Sequence, residues 1–530
     1  MKSFITYCSL ILFLLSCLAG CSNGESVDTD PVIILPPQDS IIHVPDTVPN
    51  TPTDTIPQEP ISPRLLTMTF KSADNPRHIT VDVECEIIGD SIVECWLPGM
   101  QQDKLLVPSF TFEGDSIISG DMTIKSSETK ADFSKPYDMS VISGYKIRKY
   151  CVYVHAYTGL PILWIVTKGN QEITSKDEYL DAHMRLVEDV VTRSPGEQFE
   201  TDLQIKGRGN TTWGENAQKK PYRLKLPEKA SLLDEPKDKA WILLANYFDK
   251  TMLRNQTAFF MSKISQLDYT PRYHFVDLIL NGEYNGTYQL GEKIKISKNR
   301  VNVGDDGILL EVDYRADGNA CFSTQHTNPI VIKEPEVCTG DENYNYIKDY
   351  VLKAERSLYA SNFTDQENGW SNYFDMDSFV DWYLINEIAK NNDAVMFSSC
   401  FMHFEKGGKL KMGPVWDFDI GFGGTTMNDS DNPEGFRIKN AAWFSRMFQD
   451  PAFTDRVKER FAYFYSRRQD ILNEIDQNAS YLRYSVEENN KKWNTLKTDN
   501  AWPRYQTKVQ DLKDWISIRF EWLYKAINEL

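Results

Sequence analysis

A chain of 530 residues is too long for one compact core, and two or three domains are the expectation. A formal net charge of −18 and a pI near 5.0 exclude a general nucleic-acid binder, although 58 Lys and Arg leave room for a local basic cleft. With 41% hydrophobic and 12% aromatic residues, most of the chain has the composition of a folded protein.

Residues 1–20, "MKSFITYCSLILFLLSCLAG", place a Lys before an apolar core too short for a good membrane span. Cys21 follows directly. The stretch resembles the lipobox of a bacterial lipoprotein signal, which implies cleavage before Cys21 and its diacylation. Paired acyl chains make a stable anchor. An ordinary secretory signal cut near Ala19 is the other reading. The expected location is the cell envelope, as an exported outer-membrane or surface lipoprotein. Residues 21–64 are rich in Pro, Thr, Asp and Ser and read as an extended tether.

Residues 65–157 show short alternating runs broken by Gly, Asp, Pro and Ser. The pattern predicts an all-β sandwich, immunoglobulin-like, serving as spacer or adhesion module. Cys85 and Cys95 flank the predicted hairpin "ECEIIGDSIVEC"; they pair or stay as core thiols. No CxxC motif or Cys/His cluster points to zinc.

Residues 158–530 read as one large α+β domain, bilobal in layout. "QIKGRGNTTWGENAQKKPYRLKL" predicts strand, glycine turn, strand. Gly207, Gly209 and Gly214 free the backbone to approach an anion, and Arg208 and Asn210 sit in the same loop. Arg223 and Lys225 face away from the apolar side of the second strand, and Lys220 lies just before it. A glycine hairpin followed by a strand lysine is how a protein-kinase N-lobe holds phosphates. Strand lysines also commonly just face water. "NYFDKTMLRNQTAFFMSKIS" predicts a helix opened near Asp249, with no Glu to pair with such a lysine. "YHFVDLILNGEYNGTYQLGEKIKI" predicts a hairpin at Asn281-Gly282. Glu292 ends it, either as a contact for ribose or a cleft lysine, or as an edge charge.

"DSFVDWYLINEIAKN" predicts an amphipathic helix, followed by a loop with Asp393 and two strands flanking "KGGK". The second strand runs into Asp417 and Asp419, which share a face if the segment is extended. Two adjacent carboxylates repel, and a cation between them compensates. The other reading has both capping the glycine turn and pairing with Arg or Lys. Helix, loop aspartate, hairpin, aspartate is the order of a kinase C-lobe. There an Asn stands five residues after the loop aspartate; this chain has Ser398. "RVKERFAYFYSRRQDILNEI" and "YQTKVQDLKDWISIRFEWLYKAINEL" predict long helices with aromatic core faces.

"KGRGNTTWG…KKPYRLKL", "WILLANYFDKTMLRN", "LNGEYNGTYQLGEKI" and "GPVWDFDIGFGG" together resemble the CotH kinase family. The sandwich and the lipoprotein signal are similar to those of members from Bacteroides-type bacteria. The resemblance implies an atypical protein-kinase-like fold and transfer of phosphate from ATP, with Mg²⁺ or Mn²⁺, to Ser or Thr of a partner protein. It implies Asp393 as catalytic base, Asp417 as metal ligand with Asp419 beside it, Ser398 as a weaker ligand, and Lys220 or Lys225 on the phosphates. An exported protein meets little ATP, so a non-catalytic, membrane-anchored binding protein for glycan or protein stands as the alternative. A glycoside hydrolase fits less well, because its two carboxyls must stand apart across the scissile bond.

Overall fold

The computed structural model describes residues 59–530 apart from 77–78, 80–81, 99–103, 189–198 and 317–319. The leader, the lipidation candidate Cys21 and most of the tether lie outside the described residues. Among the described residues the chain is mixed α+β, with eight α-helices and many strands. No helix there is long and apolar enough to cross a membrane.

The first β region has two sheets about one core. Arg64–Phe70 pairs with Val83–Glu84 and Ser109–Glu113. A six-stranded sheet is centred on Lys146–Tyr157 and Tyr137–Ser143, with Ile92–Pro98 running parallel to Lys146–Tyr157 on its other side. Met68, Phe70, Val93, Phe110, Val141 and Val152 from both sheets share the interior. The hairpin around Gly89 forms, with Glu86 opposite Glu94, and Cys85 and Cys95 stand as free thiols. The region is fastened to the next one through Arg185. This residue pairs with Glu94 and Glu86 and lies over the rings of Trp96 and Trp164, at 5.0 and 4.9 Å.

Next comes a closed seven-stranded barrel, in the order Ile162–Thr167, Leu180–Val187, Phe199–Gly207, Tyr222–Ala230, Asp238–Leu244, Glu283–Glu292 and Tyr273–Leu280. Parallel pairing of the first and last strands closes it. Alternation sends Leu203, Ile205, Tyr222, Leu224 and Leu290 inward, while Lys206, Arg223 and Lys225 face out. Asn281 and Gly282 both have positive φ, 52° and 81°, the geometry that a tight hairpin turn requires.

The barrel's outer face meets the largest core. This holds a five-stranded sheet ordered Cys321–Phe322, Ile330–Glu334, Gly307–Val312, Cys400–Glu405 and Lys411–Met412. The helix Met376–Ala389 backs it, started by an Asp375 cap on Ser378 N. Twelve of its fourteen residues are buried, so it is enclosed on all sides rather than amphipathic. Its polar residues are matched inside: Asp381 holds both arms of Arg460 at 2.8 Å, and Glu387 holds Arg519 at 2.7 Å. The helix expected across 456–475 is two, Pro451–Ser466 and Arg468–Tyr481, with a break at Arg467. The helix expected near Asp249 starts at Arg254, because Asp249 caps a turn instead. Its carboxylate accepts from the N–H groups of Thr251 and Arg254, both at 2.9 Å.

Candidate functional site

The acidic segment is not an extended strand. The strand stops at Met412, and Asp417 has φ +66°, a left-handed conformation uncommon outside glycine. Such backbone persists only where neighbours hold it. Here Asn255 Oδ1 accepts the N–H of Phe418 at 2.8 Å, and Arg254 Nε donates to Gly421 O at 2.9 Å. Asn391 Nδ2 donates to Asp417 O at 3.3 Å and its Oδ1 accepts from Asp393 N at 3.3 Å. One asparagine thus ties the Asp393 loop to the Asp417 segment.

Asp393, Asp417 and Asp419 therefore share one electrostatic field. All three are half-buried. Burial pushes Asp393 up to about 6, and the Asp417 charge adds to it. Burial also raises Asp417, against the pull of Arg208, Ser399 and Arg315. Asp419 is raised well above the ordinary carboxylate range, first by burial and then by the charges of Asp417, Asp249 and Asp393. Two further carboxylates border the group. Glu311 is the penultimate residue of Gly307–Val312, the central strand of the five-stranded sheet, and pairs with Lys333 at 2.8 Å. Asp313, just past the end of that strand, accepts from Ser398 Oγ at 3.2 Å.

Ser398 is thus turned to Asp313. The serine at Asp417 is Ser399, whose Oγ donates to Asp417 Oδ2 at 3.4 Å. Among the described residues no three His, Cys, Asp or Glu side chains already form a metal cage. A hard cation that takes one or two carboxylates and completes its shell with phosphate oxygens fits such a pair. Like charges held close with too little countercharge are what a cation would relieve.

The glycine loop contributes through a side chain. The N–H groups of Gly207, Arg208 and Gly214 are spent on Ser175 O, Pro221 O, and Asn210 O with Thr211 O. Gly207 is small because the Trp213 ring folds across it; a Cβ would lie 2.2 Å from the ring. At Gly209, φ is +81°. Asn210 is exposed and accepts from Lys176 at 3.1 Å. The Arg208 guanidinium reaches over the ring of Trp416, 5.6 Å from its centre, and its charge acts on Asp417.

Lys220 and Lys225 are not brought to this group. Lys220 Nζ donates to the carbonyls of Trp213 at 3.1 Å and Gly214 at 2.8 Å. Lys225 is exposed and lines a separate groove of about 810 Å³ with Asp181, His183 and Asp202. Glu292 is fully buried and saturated: Arg272 Nε, Arg272 N and Tyr269 OH all donate to it, at 2.8, 3.1 and 2.9 Å. The barrel cation whose charge reaches the acidic group is instead Arg208, and Arg223 in turn acts on both Arg208 and Lys293. Arg223 lies two residues before Lys225 on the same face, so strand alternation puts both there without choosing between them. Glu311 and Asp313 carry no local signal, since a distant strand pairing brings them in. Next to Asp313, exposed Tyr314 and Phe397 stack at 4.3 Å, with Arg315 4.6 Å from the Tyr314 ring centre.

A family model described as CotH kinase protein matches residues 203–523. No curated protein matches the chain. A solved structure described as a candidate glycoside hydrolase from Bacteroides thetaiotaomicron VPI-5482 is similar at 13% identity. It covers 55% of this chain and 78% of that one, with a TM-score of 0.18, too slight a likeness to bear on fold or function.

Proposed function

Because the chain belongs to the CotH kinase family, we propose that it transfers the γ-phosphate of ATP to a Ser or Thr of a partner protein. On this reading the barrel and the helix-backed sheet are the two lobes of an atypical kinase. The first β region is an immunoglobulin-like spacer, and Cys21 anchors the whole to the envelope membrane.

One observation carries the reading: half-buried, mutually repelling carboxylates at Asp393, Asp417 and Asp419 face a cationic barrel wall. Bound Mg²⁺ and ATP would supply the phosphoryl group and neutralise charge at the carboxylates. Asp417 and Asp419 are the residues that would hold the cation. Asp393, poised near pH 6, accepts the proton of the acceptor hydroxyl. Asn391 keeps the base and the metal-holding segment in register. Arg315 and the stacked Tyr314 and Phe397 lie where an acceptor segment would approach.

The test is thermal unfolding of the full chain in detergent, followed by tryptophan fluorescence, with ATP and Mg²⁺ or Mn²⁺. A metal-dependent rise, absent in Asp417→Ala, is expected, since a ligand specific to the folded state must stabilise it. No rise at millimolar nucleotide would sink the kinase reading in favour of a non-catalytic binding protein.

A further inference from the structure

Several cations inside this fold are answered by carboxylates, while fully buried Lys219 is held by the Thr287 carbonyl and the Asn489 amide oxygen. Arg272 meets Glu292, Arg254 meets Asp249, Arg460 meets Asp381 and Arg519 meets Glu387. Among the described residues Arg223 has neither kind of partner, and its Nε, like that of Arg437, is left buried and unpaired. Among the described residues Lys293 likewise makes no hydrogen bond or ion pair at Nζ, and the carboxylate of Glu334 acts on it only through space.

Strand register puts these cations on one surface. Arg223 lies opposite Lys206 on one neighbouring strand and opposite Ile242 on the other. Ile242 lies opposite Gly291, and Lys293 is two residues further along that strand's course. Directly paired residues, and residues two apart, share a face. Arg208, two residues beyond Lys206, extends the same face toward Asp417. This is the outer wall of the barrel, and its Ile242 shares a buried core with Ile308 and Leu310 of the strand that carries Glu311.

Arg223 repels each of the others. Burial lowers Lys293 to about 8, with Arg223 the next cause, and burial lowers Arg208 as well. Desolvated like charges without partners are costly unless an anion joins them. A planar guanidinium fork beside an ammonium point charge suits phosphate oxygens.

We propose that Arg223 and Lys293, with Arg208, form the site for the polyphosphate tail of a nucleotide, in place of Lys220 and Lys225. The assignment rests on the kinase reading for its ligand but not for its anion chemistry. The wall holds the phosphate oxygens on one side, and Asp417 and Asp419 lie opposite. The nucleoside end contributes nothing to this contact, so inorganic tripolyphosphate should occupy it alone.

The experiment is calorimetric titration of the full chain in detergent with inorganic tripolyphosphate in EDTA, then with ATP and Mg²⁺. Variants are Arg223→Met, Lys293→Gln and, as control, Lys225→Met, each checked for an unchanged melting temperature. Loss of one charged hydrogen-bonding partner should weaken tripolyphosphate about tenfold or more in the first two. Lys225→Met should bind as wild type. If Arg223→Met does not fold, Lys293→Gln carries the test alone. Wild-type binding of Mg²⁺–ATP that neither variant weakens overturns this assignment and leaves the kinase reading intact. Binding of tripolyphosphate through Arg223 and Lys293 without any binding of Mg²⁺–ATP upholds the anion site and overturns the kinase reading. No binding of either ligand overturns both.

Discussion

Asn255 Oδ1 accepts the backbone N–H of Phe418 at 2.8 Å, so the first turn of a buried helix grips the residue between Asp417 and Asp419. Asn255 is itself buried, and its Nδ2 donates to Asn246 Oδ1 at 3.2 Å. Asn255→Ala leaves a buried N–H unpaired, at a cost of about 1–3 kcal/mol. The expected result is a lower urea midpoint and a reduced metal-dependent thermal shift. An unchanged metal response would show that the left-handed turn at Asp417 holds without this bond.

In its proposed role as base Asp393 must be deprotonated, and burial sets it near 6. Phosphotransfer, as kcat/KM, should therefore rise with pH through an acid limb near 6 and level off above it. A cation beside Asp417 cancels part of the repulsion and moves the limb lower. Asp393→Asn should lose about 10²–10⁴-fold in kcat and still bind nucleotide. A profile flat from pH 5 to 8 would remove Asp393 from the proton-transfer role.

The two serines predict different phenotypes. Ser399 donates to Asp417 and Ser398 donates to Asp313. Ser399→Ala should weaken Mn²⁺ binding, read by the loss of the free-ion paramagnetic signal. Ser398→Ala should leave Mn²⁺ binding close to wild type. The reverse order would restore Ser398 as the ligand.

Arg519 and Glu387 are both fully buried, and Glu387 also accepts the N–H groups of Arg437, Ile438 and Lys439 at 2.7–2.8 Å. Arg519→Met strands a buried carboxylate and should cost about 3–5 kcal/mol of stability. Chemical denaturation measures it. A loss below 1 kcal/mol would mean that the three backbone donors suffice.

Asp277 gives a pH signature of stability. Burial raises it from 3.8 to about 6, despite hydrogen bonds from Thr158, Tyr284 and Thr287. Between about pH 4 and 6 the folded chain keeps a proton that the unfolded chain has released. This group's contribution to stability therefore falls as pH rises across that window and is constant above it. Asp277→Asn should flatten the decline in urea midpoints between pH 4.5 and 6.5. An equal slope in both proteins would mean that Asp277 is already ionised when folded.

Some of the site is local and therefore legible. Asn281-Gly282 makes its hairpin because few other dipeptides tolerate two positive φ values. The order of helix, loop aspartate, hairpin and acidic pair is written along the chain. Other features mislead locally. Gly207 looks like a phosphate loop, yet its missing side chain makes room for Trp213. Glu292 looks like a cleft acid, yet Arg272 and Tyr269 use it up. Lys225 and Arg223 share a strand face and cannot be ranked by pattern, because only tertiary packing buries the Nε of one and leaves the other in water.

The sequence by itself determined the acidic motif, the family and the alternation that lines up a cationic face, since each depends on residues within a few positions of one another. The tertiary structure alone decided which serine meets Asp417, which cations lack partners, and that Glu311 and Asp313 border the site. Those outcomes depend on contacts between segments tens to hundreds of residues apart. There burial and the exclusion of water turn ordinary side chains into unbalanced charges.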